Sequence, residues 1–555
     1  MTRIISSDPH AMKRKIMLLL LAVSFAVLWS DVRRLQNDPK LSSRVADEES
    51  LLYSMSKLML VEAQAPDIYF DGEKLFYDPG SHTYYYSLVE GSSSAFDPRV
   101  RLITVRENAR VAFTSGITQE LIESNTPILF SVYNDVGYEL FYLCCTTLPL
   151  LNVDCESEYI GSSADEPMDI TLFDNREGAP RRLVESEGLI HKRGGSSAAF
   201  PKIGYKISLK KDSVGGSRRN NTVSLLGMRQ DDDWILYAGY SDTEKIRNVF
   251  SQNLWYESCR YDNEQKRSTG TQYKYVEMFL NGEYNGLYAL CYPIDEKELK
   301  LCGDRSIQAL YKYTNFMGDT IEVNGYGRIG GIEVKYPGSG WDPSDELAAY
   351  GQPVDSGDFD LLFRYLDFLN SHRSDNGALL YGIDLQNALD MTLFLNLTQG
   401  EDQVGTDNMK NVYLALFKEK EGIKGLLIPW DLDVTWGCSW EEFYKNNVKS
   451  YVYTPEDNFI LNCGYFAQMI KNDEAIYDRL LSEKYKRLRE GAWSDERIMG
   501  MLDGYEAQIF DSGAFLRDME RWPDGNYGSP QNKLSVFKDY VLRRLEYCDS
   551  FYGIR

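Results

Sequence analysis

The feature that most constrains the fold is an apolar run at residues 425–428 that ends, after Pro429 and Trp430, in Asp431 and Asp433. A short apolar run of this kind is typical of a buried strand. The two aspartates are two positions apart, so in an extended chain their side chains point to the same side. Paired carboxylates at a strand end can bind a hard cation. An isolated Asp-x-Asp is more often a turn cap with a solvated partner, so the neighbouring sequence decides.

The preceding sequence supplies an acid, an amide and a predicted β-hairpin. Asp402 and Asn411 are followed by the strand-like residues 412–417, a polar turn at residues 418–424 and then the acidic strand end. Enzymes of the kinase type supply a catalytic base, one metal ligand and a second metal ligand in this order. The order favours phosphoryl transfer over a solvated turn.

The composition excludes several other classes of protein. There are 60 Lys and Arg residues against 83 Asp and Glu residues, which gives a net charge of −23 and predicts that nucleic acid is not a partner. Only four histidines are present, all far apart in the sequence, which argues against a zinc hydrolase and against a Ser-His-Asp site. A kinase stays compatible, because it needs aspartates, an amide and basic side chains but no histidine.

The N-terminal residues have the pattern of a targeting segment. Three basic residues, Lys13, Arg14 and Lys15, precede an apolar run at residues 16–29. This pattern predicts a signal peptide or signal anchor at residues 1–31, and a buried N-terminal helix is the alternative. We expect an extracytoplasmic protein, membrane-anchored or secreted, that contacts a membrane only through this segment.

The rest of the chain divides into three predicted regions. Short strands separated by turn residues predict a β-rich accessory module at residues 60–170. Residues 171–445 mix strand patterns with helical patterns, including helices at residues 358–370 and 384–397, and residues 446–555 contain mostly amphipathic helices. The expected fold class is therefore α+β.

A loop at residues 191–197 is the first candidate for nucleotide contact. It contains Arg193 followed by Gly194, Gly195, Ser196 and Ser197. Backbone amides and hydroxyls of such a loop can face phosphate oxygens. A plain flexible loop is the commoner origin of this pattern.

The next segment, residues 200–210, alternates like a strand with Lys202 and Lys206 on its polar face. Either lysine could neutralise nucleotide phosphates, although strands often carry solvated lysines. Three consecutive aspartates at residues 231–233 invite a calcium interpretation, but they lack the spaced ligands and the glycine of an EF-hand loop. A solvated turn is the better prediction for them.

Six motifs in a fixed order give the chain a specific resemblance. They are Arg-Gly-x-Ser-Ser with Phe-Pro-Lys-x-x-Tyr-Lys, Leu-Leu-Gly with Asp-Trp-Ile-Leu, Ser-Asp with Arg-Asn, Asn-Gly-Glu-Tyr-x-Gly-Leu-Tyr, Lys-Asn-x-Tyr-Leu, and Pro-Trp-Asp-Leu-Asp. Over about residues 189–437 the sequence resembles the CotH kinase family, the spore-coat type of atypical protein kinase. The resemblance implies a divergent kinase-like core, binding of ATP with Mg²⁺ or Mn²⁺, and phosphorylation of Ser or Thr on protein substrates.

The resemblance also implies roles for individual residues. Asp402 matches the acid that accepts the proton of the substrate hydroxyl, and Asn411 matches the metal-binding amide. Asp431 matches the metal-binding acid. Asp433 is its companion carboxylate, which either binds the metal itself or contacts a metal ligand. Among the lysines, Lys202 matches the family's Phe-Pro-Lys.

Two positions depart from the expected pattern. The interval from Asp402 to Asn411 is longer than the D-x-x-x-x-N of ordinary kinases. Either an insertion bulges out, or Asp407 is the base with Asn408 or Asn411 as ligand; we favour Asp402. Tyr292 stands where many family members carry a glutamate, which puts nucleotide affinity or choice in question.

Two functions other than catalysis stay open. A degenerate kinase fold could act as a surface scaffold or adhesion protein, which the β module, the predicted anchor and the scarcity of ATP outside cells favour. Carbohydrate binding through the many aromatic residues rests on composition alone. The joint presence of Lys202, Asp402, Asn411 and Asp431 favours an enzyme, an atypical protein kinase.

Overall fold

A computed structural model describes residues 45–46, 56, 58–60, 65–70, 72–90, 102–104, 109–113, 118–134, 136–157, 159–214, 217–314, 328–329, 331–337, 356–405, 408–439, 451–457 and 465–554. The predicted targeting segment at residues 1–31 lies outside these ranges. In the described parts of the chain, no helix has the length and apolar character needed to cross a membrane. The chain divides into two compact units, residues 1–147 and residues 148–555.

The first unit is built mainly from short strands around an aromatic core. One sheet has the order β1-β8-β9-β10-β6-β5, with β2 also on β10, and a smaller sheet has the order β4-β3-β7. The rings of Tyr84, Phe130 and Phe141 lie together in its core. Its elements are β1 (Val45–Ala46), β2 (Met59–Leu60), β3 (Ile68–Phe70), β4 (Glu73–Lys74), β5 (Phe76–Asp78), β6 (Thr83–Ser87), β7 (Leu102–Thr104), β8 (Arg110–Phe113), α1 (Gln119–Glu123), β9 (Ile128–Tyr133) and β10 (Gly137–Thr146).

The second unit begins with a closed ring of seven strands. Its strands pair in the order β13-β12-β11-β19-β20-β18-β14, and β14 pairs back onto β13. The strands of this region are β11 (Leu150–Cys155), β12 (Glu166–Phe173), β13 (Leu183–Arg193), β14 (Gly204–Val214), β15 (Ser217–Asn220), β16 (Val223–Ser224), β17 (Gln230–Asp231), β18 (Asp233–Tyr237), β19 (Tyr273–Leu280) and β20 (Glu283–Cys291). Strand β11 and most of β12 fall within the range 60–170 predicted for the β module, but they pair in this ring.

Local sequence explains how the ring forms. Asn281 and Gly282 both have positive φ, at 52° and 78°, as the tight turn between β19 and β20 requires. Along β14, Tyr205 and Ile207 alternate inward into a core that Trp234 and Met278 share. The outward face of β18, β19 and β20 packs instead on the helices.

The remainder of the second unit combines a five-stranded sheet with helices. The sheet has the order β22-β23-β21-β26-β27. Its strands, and a short hairpin of β24 and β25, are β21 (Gln308–Tyr313), β22 (Arg328–Ile329), β23 (Ile332–Tyr336), β24 (Val404–Gly405), β25 (Asn408–Met409), β26 (Val412–Lys418) and β27 (Ile423–Pro429). The helices are α2 (Arg247–Ser258), α3 (Glu296–Leu299), α4 (Asp360–Ser371), α5 (Asn376–Leu379), α6 (Leu385–Thr398), α7 (Tyr465–Asn472), α8 (Glu474–Arg489), α9 (Asp495–Glu506), α10 (Ala514–Arg521) and α11 (Ser535–Phe551).

The mixed α/β class with a helical C-terminal region is therefore confirmed. The helices predicted at residues 358–370 and 384–397 are α4 and α6. A single hydrophobic core joins α2, α6, α8 and α11 to the five-stranded sheet and to the outer face of the ring. The ends of α6 and β27 meet in this unit, and their loops carry the acidic residues singled out in the sequence.

Candidate active site

Asp402 lies in the loop after α6 and is held by two side chains. Asn411 Nδ2 donates to Asp402 Oδ2 at 2.7 Å. Lys410 Nζ lies 2.7 Å from Asp402 Oδ1 and 3.0 Å from Oδ2. The helix that delivers Asp402 ends at Gln399 in the left-handed conformation, φ 54°, which turns the chain sharply. The structure thus brings together the predicted base and the predicted amide ligand.

The long interval between these two residues forms the hairpin of β24 and β25. The hairpin reverses the direction of the chain, so Asn411 lies beside Asp402 although nine positions separate them. Asp407, the alternative base, lies outside the described residues. The main chain of Asn411 is fixed as well, because its N–H donates to Tyr313 O at 2.8 Å and its carbonyl accepts from Trp430 N at 3.0 Å.

The loop after β27 carries the two aspartates and is fixed from two sides. Gln403 Nε2 donates to Trp430 O at 3.1 Å and to Asp431 O at 2.7 Å, which ties this loop to the Asp402 loop. On the other side, Leu432 N donates to Asn248 Oδ1 at 3.0 Å, which ties it to α2. Asp431 itself has φ 57°, so the strand ends in a sharp turn.

The carboxylates of Asp402, Asp431, Asp433 and Asp242 interact electrostatically at this site. Burial raises the pKa of Asp433 well above its ordinary value, and Asp431, Asp402 and Asp242 raise it further. Burial also raises the pKa of Asp402, although the neighbouring Lys410 opposes this. Carboxylates that repel one another in this way favour a bound cation, because a cation removes the mutual repulsion.

The outer face of the strand ring forms the opposite wall. Lys206 pairs in register with Ile235, so it lies on the same sheet face as Tyr237, two residues further along β18. Burial raises the pKa of the Tyr237 hydroxyl well above its ordinary value, and the charges of Asp433, Asp242 and Asp431 add to this. Lys206 therefore lies on the face of the ring whose Tyr237 interacts with the acidic residues.

Arg193 joins this wall from the end of β13. Its guanidinium lies 5.3 Å from the ring centroid of Trp430, the residue directly before Asp431. The following Gly194 has φ 124°, and a Cβ there would lie 2.4 Å from Ser197 Oγ, so the turn requires glycine. Ser196 and Ser197 lie in the short 3₁₀ helix Ser196–Ala199.

Lys202 has different surroundings from those expected of a residue on the polar face of a strand. It precedes the first residue of β14, and its side chain is fully buried in an ion pair with Asp518, with 2.7 Å between Nζ and Oδ1. Burial lowers the pKa of its ammonium group, while Asp518 opposes the shift.

The triple aspartate is not the solvated turn that the sequence predicts. Asp231 is fully buried and is paired with Arg229 at 2.6 Å and with Lys297. Asp232 is also buried, 2.8 Å from Lys297. The same arginine lies 4.4 Å from the centroid of Tyr292, whose ring belongs to the core of the strand ring. These aspartates therefore neutralise basic side chains.

Three residues of the site were not singled out for it from the sequence. Lys410 directly precedes Asn411 in the sequence, and this adjacency could have indicated that Lys410 belongs to the site. Asp242 accepts from Arg247 N, the first residue of α2, at 2.6 Å and also contributes to the acidic group. Gln403 gave no signal, because its partners are carbonyls of a loop 27 and 28 positions away.

The donor set fits a kinase-type metal site better than a preformed metal cage. Within the described ranges, no three Asp, Glu, His or Cys side chains are grouped closely enough to hold a metal ion. Magnesium at phosphoryl-transfer sites is held by one or two protein ligands together with phosphate oxygens and water. An amide at Asn411 and carboxylates at Asp431 and Asp433 suit that second mode.

Comparison with known families gives one finding. The family model described as CotH kinase protein matches residues 190–548, well over half of the chain. A search of curated proteins finds no match. The matched range includes the Gly-Ser loop, Asp402, Asn411 and the acidic strand end. The chain therefore belongs to the CotH kinase family.

Proposed function

We propose that the protein is an atypical protein kinase that uses ATP and a divalent cation to phosphorylate Ser or Thr on protein substrates. The observation that carries the proposal is the hydrogen bond of 2.7 Å between Asn411 and Asp402, in a loop that Gln403 joins to Asp431. These bonds tie together the loops of the proposed base, the proposed metal-binding amide and the proposed metal-binding acid, the three groups that phosphoryl transfer uses.

The order of the secondary-structure elements supports the same reaction. The ring strands β13 and β14 are joined by a Gly-rich turn, and the next ring strand along the chain, after the short strands β15 to β17, is β18. Then come α2, β19, β20, α6, Asp402 and the β26–β27 hairpin. In protein kinases a Gly-rich loop, a lysine-bearing third strand, a helix, a catalytic loop and a metal-binding acid follow in this order. The third of these ring strands, β18, contains no lysine.

Asp402 is proposed as the acceptor of the substrate proton. Its carboxylate must be ionised to take that proton, and the ammonium group of Lys410 at 2.7 Å favours the ionised form. Asn411 fixes the second oxygen, so the orientation of the carboxylate does not depend on the substrate. A hydroxyl of Ser or Thr has an ordinary pKa too high to ionise alone, so this placement is the main contribution of the residue.

The cation and the nucleotide are proposed to lie between the acidic loops and the ring. Asn411, Asp431 and Asp433 would hold Mg²⁺ or Mn²⁺, which would neutralise charge on the phosphate oxygens. Arg193 and Lys206 face the same space from β13 and β14, and the turn with Ser196 and Ser197 can present backbone amides to phosphate. These groups bind and orient and undergo no covalent change.

One observation favours a second candidate function, a non-catalytic scaffold. The lysine of the third strand, which pairs with nucleotide phosphates in ordinary kinases, is missing from β18. A scaffold of this kind would keep the fold without turnover. We propose for either function an extracytoplasmic location, membrane-anchored or secreted through residues 1–31.

The test is transfer of labelled phosphate from ATP to the protein itself or to added protein, with Mg²⁺ or Mn²⁺. Wild-type protein is expected to incorporate label, and Asp431→Asn is expected to reduce it on the order of a hundredfold or more. Asp478→Asn, an exposed position on α8, is the matched control and is expected to keep full activity. Equal incorporation by Asp431→Asn would refute the metal assignment, and none by the wild type would favour the scaffold.

A further inference from the structure

The ammonium group of Lys202 has no direction left for a nucleotide phosphate. Its Nζ donates to Asp518 Oδ1 at 2.7 Å and to Leu287 O at 2.5 Å. On a third side the ring centroid of Tyr288 lies 4.7 Å away. An ammonium group has three donors, and these three partners occupy them. The side chains of Lys202 and Asp518 are both 0% exposed.

Both oxygens of the Asp518 carboxylate also accept hydrogen bonds from neighbouring groups. Its Oδ1 also accepts from Leu287 N at 2.8 Å, and its Oδ2 accepts from Tyr527 Oη at 3.0 Å. Gly286 has φ 109°, and a Cβ there would lie 2.3 Å from Asp518 Oδ1. The helix that carries Asp518 can therefore approach β20 this closely only because position 286 is glycine. The local backbone is thus adapted to the Lys202–Asp518 pair.

The helix that carries Asp518 is fastened to the β19–β20 hairpin along its length. Arg517 pairs with Glu277 through contacts of 2.8 and 2.6 Å. Arg521 Nε donates to Tyr284 O at 2.8 Å, and Trp522 Nε1 donates to Asn285 O at 2.8 Å. Helix α10 and this hairpin thus form one rigid support beneath Lys202.

We propose that Lys202 is a positioning residue, which with Asp518 seats the loop of residues 194–203 on this support and does not touch the nucleotide. The inference rests on the proposed kinase function. It follows that the position of the Gly-Ser turn at the start of this loop, and of Arg193 directly before it, depends on a carboxylate 316 positions after Lys202.

A buried ion pair allows a decisive set of variants. Removal of one partner leaves an unpaired charge in the interior, whereas replacement of both by apolar side chains of similar size is often neutral. A residue that seats the loop can therefore be replaced together with its partner. A residue that binds phosphate cannot be replaced in this way without loss of nucleotide affinity, because its positive charge is lost whichever residue stands at position 518.

The variants are Lys202→Met, Asp518→Leu and the double variant, with Lys211→Met at an exposed position on β14 as control. Melting temperature and the dissociation constant for ATP with Mg²⁺ are measured for each. Both single variants are expected to melt several degrees lower and to bind ATP more weakly, and the double variant is expected to recover both properties. A double variant that melts like wild type but binds ATP about tenfold or more weakly, or single variants that match the wild type, would overturn the inference.

Amine-reactive labelling of the wild type, read by mass spectrometry, decides the question if the double variant does not fold. Lys202 is expected to stay unlabelled with and without ATP, and Lys211 to be labelled in both states. Labelling of Lys202 that ATP suppresses would overturn the inference. A wild type that binds no ATP would refute the kinase proposal, and the melting temperatures of the variants would still decide the seating role.

Discussion

Asp402 combines burial with two fixed partners, and this sets what it can do. Burial alone would favour its protonated form, which cannot accept a proton. Lys410 counteracts this at 2.7 Å, and Asn411 holds the other oxygen at the same distance. The carboxylate therefore has a neighbouring cation that favours its ionised form and a fixed direction, and both suit a general base.

Replacement of Asp402 by Asn should remove phosphate transfer while ATP binding persists. The amide keeps the shape of the side chain but cannot take the proton, so kcat is expected to fall about a hundredfold or more. Asp407→Asn is the matched control and is expected to be close to neutral. Single-turnover assays and ATP titration measure the two effects. The reverse pattern would identify Asp407 as the base.

Arg193→Met should weaken nucleotide binding. Hydrogen bonds to charged groups are worth about 1.5–3 kcal/mol, so the dissociation constant for ATP is expected to rise between about tenfold and a hundredfold. Lys192→Met is the control, because Lys192 pairs in register with Tyr205 and so lies on the opposite face of β13. Calorimetric titration with ATP and Mg²⁺ compares the two, and equal affinities would remove Arg193 from the site.

The closure of the strand ring depends on a small residue at position 188. A Cβ on Gly188 would lie 2.4 Å from Met168 Cε and 2.7 Å from Ser208 O, and the latter atom is backbone. Gly188→Ala is expected to reduce the free energy of unfolding by about 1–3 kcal/mol through overpacking. Gly195→Ala, where nothing lies within 4 Å of the added atom, is the control. Urea denaturation measures the free energy of unfolding of both variants. A value for Gly188→Ala equal to that of the wild type would mean that β13 and β14 can move apart to admit the added methyl group.

The contact between α6 and α8 makes stability depend on pH. Burial raises the pKa of Asp390 to about 7 from an ordinary value of 3.8, despite Lys484 at 2.9 Å. The folded state then keeps a proton that the unfolded chain releases between those two values, so stability falls as pH rises through that window.

Asp390→Asn should flatten this dependence, because the amide does not titrate. The melting temperature of the variant is expected to fall less than that of wild type between about pH 4 and about pH 7. Asp478→Asn on the exposed face of α8 serves as the control and should follow the wild type. A parallel fall in wild type and Asp390→Asn would assign the pH dependence to other groups.

Local patterns in the sequence predicted the elements that local interactions define. Helices α4 and α6 and the β26–β27 hairpin all follow from spacing and turn residues within a few positions. The acid, the amide and the second acid could be predicted as a group for the same reason, since a single hairpin separates each of them from the next.

Interactions between distant segments set the limits of that prediction. Nothing near Lys202 indicates Asp518 as its partner, and helix α10, which carries this carboxylate, was not singled out in the sequence. Likewise Asp231 and Asp232 read as solvated because Lys297 lies 66 and 65 positions away. The pairing of β14 back onto β13, which closes the ring, is a property of seven strands together.

The whole chain separates between residues 147 and 148, and every residue proposed for catalysis lies after that point. The ring begins at Leu150, and both partners of the Lys202–Asp518 pair belong to the same unit. A protein of residues 148–555 is therefore expected to fold and to keep the phosphate transfer of the full-length chain. Melting temperature and ATP labelling, measured beside the full-length protein, test this. A folded residues 148–555 protein without transfer would show that the first unit contributes to the reaction, for example by binding the protein substrate.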